Sequence, residues 1–322
     1  MSGKPGHAGV IHTPWIWHNG DFVPWDSANL HVMSHVVHYG SSVFEGIRCY
    51  ATREGPSLLR LDDHLRRLLD SCRIHRIPVE YDVAFLRDAC CKLFERNELE
   101  EGYLRPLVLR GEGAVGIHPG DARVETFLIC WPWGAYLGKD AHEAGVDACV
   151  STWFRPAPNT HPTLAKCAGN YPLAQLMKME AAQNGYTEAI ALAPDGTVSE
   201  ASAQNVFLVK GGILYTPPAD GSMLSGITRD STIVLAQDAG IAVREERIPR
   251  EKLYICDELF LTGTATEITP VRSVDRIPVA GGTRGPITEL LQRRLLEVAM
   301  GRAPDPHGWR TVVRGRRSTR VA

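Results

Sequence analysis

No stretch of the sequence is apolar over the length that a helix needs to cross a bilayer. The opening residues, MSGKPGHAGVIHTPWIW, contain no apolar core of signal-peptide length. The formal net charge is −2 over 322 residues, so the excess of positive charge that would attract nucleic acid or an anionic membrane is also missing. These absences predict a cytoplasmic protein whose partners are small molecules, with neither nucleic acid nor a membrane among them.

The eight cysteines do not show the C-x-x-C spacing that is typical of zinc sites and redox motifs. Most of them stand in apolar surroundings, where cysteine behaves as a small hydrophobic residue. They are Cys49, Cys72, Cys90, Cys91, Cys130, Cys149, Cys167 and Cys256. Scattered cysteines of this kind are typical of a reducing compartment, which agrees with a cytoplasmic location.

Lysine is scarce, since only seven of the 35 basic residues are lysines. One of them, Lys166, lies in the run PTLAKCAGNY, among small residues that follow a predicted buried strand over 146–154. A lysine is ordinarily a solvated surface residue. Lys166, with Ala165, Cys167, Ala168 and Gly169 around it, departs from this pattern.

The length of 322 residues predicts two domains rather than one core. We predict a smaller N-terminal α/β domain over 1–137, a linker over 138–145 and a larger C-terminal domain over 146–322. Residues 1–12 are predicted to be flexible and the basic tail 313–322 disordered, because neither shows a hydrophobic period.

Helix and strand patterns alternate in both halves. A hairpin is predicted in WIWHNGDFVPW, with its turn at Asn19-Gly20. Apolar residues recur at helical spacing in DDHLRRLLDSCRIHRI, in VAFLRDACCKLFERNEL and in GPITELLQRRLLEVAMG. The runs GYLRPLVLRG and VETFLICWPW have the length and residue types of strands. The sequence therefore predicts a mixed α/β fold.

Three features of the second half point to one ligand. The run SGITRD places Gly226, Ile227 and Thr228 at the start of a helix, where free N–H groups favour an anion such as phosphate. The run TGTATE offers a turn of small residues with hydroxyl groups, and Glu200 lies at a strand end among small residues. An amine at Lys166, a phosphate site and a carboxylate are what pyridoxal phosphate requires.

Several longer runs carry a resemblance to a known family. The run EASAQNVF, followed by LYT and LSGITR, resembles the pattern of the class IV aminotransferases, the fold-type IV enzymes of pyridoxal phosphate. The runs HYGSSVFEGIRCY, YLRPLVLRGEGAVGIHP, WFRPAPNTHPTLAKCAGNY and GTATEITPVRSVD resemble the branched-chain amino acid aminotransferases in particular. Because these runs are spread over nearly the whole chain, they are far more specific than a lone motif.

The resemblance implies a two-domain fold-type IV enzyme that transfers an amino group between Leu, Ile or Val and 2-oxoglutarate. It implies pyridoxal 5'-phosphate as cofactor, no metal, and a homodimer or larger assembly with the active site shared between subunits. The residues that it implies for binding the cofactor are Arg67, Lys166, Tyr171, Glu200, Leu224, Gly226, Ile227, Thr228 and Thr264. Among these, the resemblance implies that Lys166 is the catalytic lysine that binds the cofactor covalently, that Glu200 pairs with the pyridine nitrogen and that Tyr171 pairs with the phenolic oxygen.

The resemblance also implies a set of substrate-binding residues. They are Tyr39, Phe44, Gly46, Arg48, Tyr103, Arg105, Ile117, Tyr136, Ala265 and Thr266, together with the backbone of Thr264. Of these, Tyr39 and Ile117 are expected to reach the site of the other subunit. Arg105 is expected to contact the side-chain carboxylate of glutamate and 2-oxoglutarate.

Other functions remain open at this point. Within the fold type, the alternatives are a D-amino acid aminotransferase, an amine transaminase and an aminodeoxychorismate lyase. The Tyr-x-Arg pair at 103 and 105 and the run FEGIR argue against these three. An aminotransferase of specialised metabolism is a further alternative. A non-catalytic scaffold is disfavoured because Lys166 and Glu200 are both retained.

A metal site is a further alternative, because the spacing of His31, His35 and His38 would put all three on one helical face. No Cys, Asp or Glu joins them in the run HVMSHVVHYG, so structural histidines beside Tyr39 are the favoured interpretation.

Overall fold

The structure, a computed structural model, describes residues 12–133 and 141–313. The helices of these ranges are α1 (His35–Tyr39), α2 (Leu61–Ile74), α3 (Val83–Arg96), α4 (Ala141–Ala144), α5 (Tyr171–Gln183), α6 (Ile227–Asp238), α7 (Lys252–Ile255) and α8 (Pro286–Ala299). Within the same ranges, no helix has both the length and the apolar character needed to span a membrane.

The strands divide between two sheets. The first sheet contains β1 (Trp15–His18), β2 (Asp21–Pro24), β3 (Ser42–Phe44), β4 (Ile47–Thr52), β5 (Gly55–Leu59), β6 (Gly102–Arg110), β7 (Val124–Trp131) and, from the far end of the chain, β17 (Arg310–Val312). The second contains β8 (Val146–Val150), β9 (Glu188–Leu192), β10 (Val198–Ala201), β11 (Asn205–Lys210), β12 (Ile213–Thr216), β13 (Val243–Glu245), β14 (Glu258–Gly263), β15 (Glu267–Val274) and β16 (Ile277–Pro278). The fold is therefore mixed α/β, as predicted.

The first sheet is antiparallel, and its strands follow the order β17-β5-β4-β6-β7-β1-β2, with β3 also paired to β6. The predicted hairpin is confirmed, because β1 and β2 pair directly and both turn residues, Asn19 and Gly20, have positive φ. The predicted helices α2 and α3 follow one another and pack on this sheet through buried leucines such as Leu65 and Leu93. Asp82 caps α3 by accepting a hydrogen bond from the backbone N–H of Phe85.

The second sheet curls into a closed ring. Six strands follow the order β10-β9-β8-β15-β14-β11, and β11 pairs with β10 again to close it. The closing pair sets Glu200 of β10 opposite Asn205 of β11. This closure brings the end of β10 beside the turn between β14 and β15, two segments that the sequence analysis placed at one ligand.

The last strand, β17, returns to the first sheet and pairs antiparallel to β5. Three residues are too few for a hydrophobic period, so no sequence pattern indicated this strand. The last described strand of the predicted C-terminal domain thus completes the N-terminal sheet. The linker predicted over 138–145 lies partly outside the described residues, and its later part forms α4.

The three histidines of HVMSHVVHYG occupy different surroundings. The short helix α1 begins at His35, so His31 precedes it. The ring of His35 contacts the hydroxyl of Ser41 and the carbonyl oxygen of Gly116, and it lies 4.5 Å from the ring of Tyr39. In the described part of the chain, no three metal-ligating side chains are grouped.

Candidate active site

A cavity lies between the two sheets. Its walls contain all nine residues for which the sequence predicted cofactor contacts: Arg67, Lys166, Tyr171, Glu200, Leu224, Gly226, Ile227, Thr228 and Thr264. They come from α2, from the segment between β8 and α5, from β10, from the start of α6 and from the β14–β15 turn. We call this cavity the lysine cavity.

Lys166 lies where the second half of the chain touches the first sheet. Its backbone N–H donates to the hydroxyl of Ser71 at 3.0 Å, and its carbonyl oxygen accepts from the N–H of Phe44 at 3.0 Å. Its Nζ donates to the hydroxyl of Tyr171 at 2.7 Å. The neighbours Ala165 and Cys167 are buried and small, so the amine faces the cavity without competing side chains.

Glu200 is buried at the end of β10 and is held by an arginine. Arg155 donates to its Oε1 at 2.6 Å, and only 6% of each residue's surface is exposed. Burial raises the pKa of the Glu200 carboxyl group, while the nearby Arg155 charge lowers it. The other carboxylate oxygen, Oε2, accepts long hydrogen bonds from the Asn205 amide at 3.5 Å and from the N–H of Leu224 at 3.4 Å. The guanidinium of Arg155 therefore occupies one of the two carboxylate oxygens of Glu200.

The start of α6 has free donors. Its N-cap residue, Gly226, has no side chain to accept the first N–H groups of the helix, so those of Ile227 and Thr228 remain available to a ligand. A Cβ at Gly226 would lie 2.0 Å from Oδ1 of Asn205, so this position requires glycine. The backbone can therefore approach an anion closely here.

Arg67 is oriented by a buried carboxylate. Its Nε and one Nη donate to Glu45 at 2.6 and 2.8 Å, and the other Nη donates to the carbonyl oxygen of Ser225 at 2.7 Å. A guanidinium carries five N–H groups, so two remain for a ligand. Nδ1 of His64 lies 2.7 Å from the same carboxylate. Burial raises the pKa of Glu45, but Arg67 and His64 outweigh burial and hold that pKa well below its usual range.

A second, wider cavity adjoins the first and shares Lys166 and Tyr171 with it. Its walls include six of the residues for which substrate contacts were predicted: Phe44, Gly46, Tyr103, Arg105, Ala265 and Thr266. Trp131 and Trp133 complete an aromatic wall. We call this space the substrate cavity.

Arg105 is a cation among aromatic rings. Its guanidinium carbon lies 4.7 Å from the ring centre of Phe44 and 5.7 Å from that of Tyr103. Its Nε is buried and has no hydrogen-bond partner in the described part of the chain. The close packing beneath it needs glycine at position 46, because a Cβ there would lie 1.8 Å from the Tyr103 hydroxyl.

Three predicted substrate residues lie elsewhere, and a fourth is not described. Arg48 lies behind the β14–β15 turn and within 3.9 Å of the Glu267 carboxylate, not in the substrate cavity. Tyr39 and Ile117 are exposed on the surface, by 46% and 88%. Tyr136 lies outside the described residues.

Sequence reasoning missed several side chains of the site. Arg155 and Glu45 were overlooked although both stand in the quoted runs, WFRPAPNTHPTLAKCAGNY and HYGSSVFEGIRCY. An arginine or glutamate in a loop is ordinarily solvated, and only its burial identifies it as part of the site. Asn205, in EASAQNVF, is a further example.

These residues fit pyridoxal phosphate. The lysine cavity supplies an amine, a phenol beside it, a buried carboxylate and a helix start beside an arginine with free N–H groups. It also contains polar atoms that lack partners in the described structure, Oγ1 of Thr262 and Oδ1 of Asn170. Such donors and acceptors are what a phosphorylated, hydroxylated pyridine ring would engage.

Comparison with known proteins defines the class. The family model described as amino-transferase class IV matches residues 42–274, which is most of the chain. The chain therefore belongs to the class IV aminotransferases, the family to which its motifs pointed.

The more specific resemblance is confirmed as well. The branched-chain-amino-acid aminotransferase of Escherichia coli (strain K12) is 48% identical over 296 residues, which cover 92% of this chain and 96% of that protein. A crystal structure of the Escherichia coli branched-chain amino acid aminotransferase superposes with a TM-score of 0.92 and 47% identity, covering 94% of this chain and 100% of the other.

A third comparison bears on the cofactor. The crystal structure of the branched-chain amino acid aminotransferase from Thermobaculum terrenum, in its PLP-form (holo-form), superposes with a TM-score of 0.87 and 35% identity, covering 94% of this chain and 99% of that one. The family and this neighbour together indicate pyridoxal phosphate as the cofactor of the group.

Proposed function

We propose that this class IV aminotransferase transfers amino groups between Leu, Ile or Val and 2-oxoglutarate, giving branched-chain 2-oxo acids and L-glutamate, with pyridoxal 5'-phosphate as its cofactor. The observation that carries the proposal is the position of Lys166 Nζ, 2.7 Å from the Tyr171 hydroxyl in a cavity that also contains Glu200 and the free N–H groups of α6. The relatives that bear the name branched-chain aminotransferase support the choice of substrates.

Each residue of the lysine cavity would have a defined part in holding the cofactor. Lys166 would bind it covalently through Nζ, and Tyr171 would donate to its phenolic oxygen. Glu200 would pair with the protonated pyridine nitrogen, and the adjacent Arg155 charge favours its carboxylate form against the burial that raises its pKa. The residues that would bind the phosphate or pack on the ring are Arg67, Leu224, Gly226, Ile227, Thr228 and Thr264.

When bound, pyridoxal phosphate supplies an electron sink for the electrons left on the substrate when its Cα proton departs. Nζ of Lys166, freed by the amine of the substrate, would act as the general base that accepts this proton from Cα and delivers it to the cofactor carbon that had carried the aldehyde. The Tyr171 hydroxyl, which accepts from Nζ at 2.7 Å, would hold the amine in place within the cavity.

The substrate cavity suits two kinds of side chain. The rings of Phe44, Tyr103, Trp131 and Trp133 offer apolar walls to Leu, Ile or Val. Arg105 would receive the side-chain carboxylate of glutamate or 2-oxoglutarate, since its Nε has no partner among the described residues. The backbone of Thr264, Ala265 and Thr266 would bind the α-carboxylate common to all substrates.

The assembly and location are part of the proposal. Tyr39 and Ile117 are large side chains exposed outside the cavity, which supports a homodimer or larger assembly in which each subunit reaches the site of its partner. We further propose a cytoplasmic location and a division into domains at 138–145, with Tyr136 contributing to the substrate site.

The test is reduction of the cofactor-loaded enzyme with borohydride. We expect the cofactor to be fixed covalently on the tryptic peptide that contains Lys166, and Lys166→Ala to abolish both labelling and transamination. Lys210→Gln is the matched control, because that lysine is half exposed and paired with Asp257 on the surface. A label on another lysine, or no transfer from leucine to 2-oxoglutarate in the loaded wild type, would overturn the proposal.

A further inference from the structure

The turn from Gly263 to Glu267 joins β14 to β15 and forms part of the wall of both cavities through Thr264. Its last residue, Glu267, has φ of +55°, a conformation that L residues other than glycine rarely adopt. Such a residue persists only where its surroundings hold it in place.

The Glu267 side chain is held from the other sheet. The hydroxyl of Tyr50, on β4, donates to its Oε1 at 2.8 Å, and Arg48 of the same strand lies 3.9 Å from that oxygen. His142, in α4, lies 3.8 Å from the other carboxylate oxygen. These contacts join the turn 263–267 to the first sheet and to α4.

The surroundings of Tyr50 preserve its hydrogen bond to Glu267. Tyr50 is buried, with 4% of its surface exposed. Burial raises the pKa of its phenol well above the usual value, and the Glu267 charge raises it further, so the phenol stays protonated and able to donate. On its other side the turn is fixed by Thr269, whose hydroxyl donates to the carbonyl oxygen of Thr266 at 2.8 Å.

We propose that Glu267 is a positioning residue whose carboxylate, held by the Tyr50 hydroxyl, fixes the turn 263–267 in the conformation that binds the α-carboxylate of every substrate. Glu267 itself lines neither the lysine cavity nor the substrate cavity. It acts through the backbone of Thr264, Ala265 and Thr266. The inference rests on the proposed function, because it assigns the α-carboxylate to this turn.

A positioning role of this kind has a distinct kinetic result. The α-carboxylate is common to the amino acids and to the 2-oxo acids, so loosening the turn should raise the KM of both half-reactions by similar factors. The Lys166 amine and the Glu200 carboxylate are untouched, so kcat should change by less than about threefold.

The direct test is binding of 4-methylpentanoate, which has the carbon skeleton of leucine without its amine, to the cofactor-loaded enzyme. We expect Tyr50→Phe and Glu267→Ala to raise its dissociation constant about tenfold. Glu267→Gln keeps an oxygen that can accept from Tyr50 and should stay within about threefold of the wild type. The matched control is Tyr254→Phe, which removes a tyrosine hydroxyl that donates to Asp275 at 2.7 Å, outside both cavities.

A second readout needs neither cofactor nor turnover. Backbone amide hydrogen exchange of the apoprotein should be faster over residues 262–268 in Tyr50→Phe and in Glu267→Ala, and unchanged there in Tyr254→Phe. Unchanged exchange over these residues together with unchanged affinity for 4-methylpentanoate in both variants would overturn the inference. If the loaded wild type failed to bind 4-methylpentanoate, the proposed function itself would be wrong, so the two failures are distinguishable.

Discussion

Arg155 and Glu200 form an ion pair at 2.6 Å in the lysine cavity, with only 6% of the surface of each residue exposed to solvent. A carboxyl group so deeply buried would ordinarily take up a proton, and burial does raise the pKa of Glu200. The charge of Arg155 acts in the opposite direction. The negative charge that the proposed function requires at Glu200 therefore depends on an arginine that stands well before it in the sequence.

Replacement of this arginine, Arg155→Met, should leave an uncompensated buried carboxylate. Breaking a buried pair in this way costs about 3–5 kcal/mol, and we expect the free energy of unfolding of the apoprotein to fall by roughly 3 kcal/mol at neutral pH. Glu200 of the variant should have a further raised pKa, so its protonated form stabilises the fold at low pH and that contribution is lost as pH rises through the folded pKa. The deficit should thus shrink as the pH is lowered, which urea denaturation at several pH values measures.

The control for this experiment is Arg247→Met. Arg247 pairs with Asp195 at 3.1 Å and with Asp220 at 3.4 Å, but its side chain is 66% exposed. Surface pairs contribute at most about 1 kcal/mol, so this variant should be nearly as stable as the wild type. An Arg155→Met protein no less stable than the control at neutral pH would contradict the prediction.

Glu200→Gln should separate cofactor binding from chemistry. Glutamine has nearly the shape of glutamate but no charge to keep the pyridine nitrogen protonated, so the cofactor should still bind while kcat falls by orders of magnitude. The cofactor absorbance of the purified variant and its turnover with leucine are the two measurements. A variant that retains most of its kcat would show that the pairing is wrong.

The run SEASAQN, which contains Glu200, and the small residues around Lys166 were enough to predict that Glu200 and Lys166 belong to one site. The nine cofactor residues that the family resemblance implied line one cavity. Among them, the helix start in SGITRD and the turn in TGTATE could also be recognised from local sequence, which determines where free N–H groups occur. In the same way, the predicted helices follow from the helical spacing of their apolar residues, and the first hairpin follows from the turn residues Asn19-Gly20.

What could not be predicted depends on pairs that are distant in sequence. Arg155 with Glu200 and Tyr50 with Glu267 meet only because the sheets bring them together, and no local pattern indicates either pairing. The same holds for the closing pair Glu200 opposite Asn205 and for the return of β17 to the first sheet. Burial converts such ordinary charged residues into parts of the site.

Glu45 should make the free energy of unfolding depend on pH in the acidic range. Arg67 and His64 hold its pKa below the ordinary value of 4.5 although burial raises it, so the native carboxylate binds its proton less readily than the unfolded one. Its contribution to stability is therefore complete above about pH 4.5 and is lost as the pH falls towards the folded pKa. Glu45→Gln should lower the free energy of unfolding by roughly 3 kcal/mol at pH 7, and the difference from wild type should narrow below pH 4.5.

The matched control for this pH series is Glu54→Gln. Glu54 also pairs with an arginine, Arg310 at 3.1 Å, but its side chain is 58% exposed. Its removal should change stability by less than about 1 kcal/mol at any pH. If the free energy of unfolding of Glu45→Gln changed with pH in parallel with that of the wild type, the assignment of the lowered pKa to the Glu45 carboxylate would be contradicted.

Arg105→Met should distinguish the two substrates of the enzyme. Arg105 lies over the ring of Phe44, and its Nε has no partner among the described residues, so a substrate carboxylate can reach it. A charge-assisted hydrogen bond contributes about 1.5–3 kcal/mol, so the variant should lose roughly ten- to a hundredfold in kcat/KM for the glutamate half-reaction. The leucine half-reaction should change much less, because its aliphatic side chain makes no such bond. Single-turnover kinetics of each half-reaction, followed by the absorbance of the bound cofactor, give the comparison directly. Equal losses in both halves would mean that Arg105 binds the α-carboxylate or supports the fold, and the assignment of the γ-carboxylate to Arg105 would then have to be abandoned.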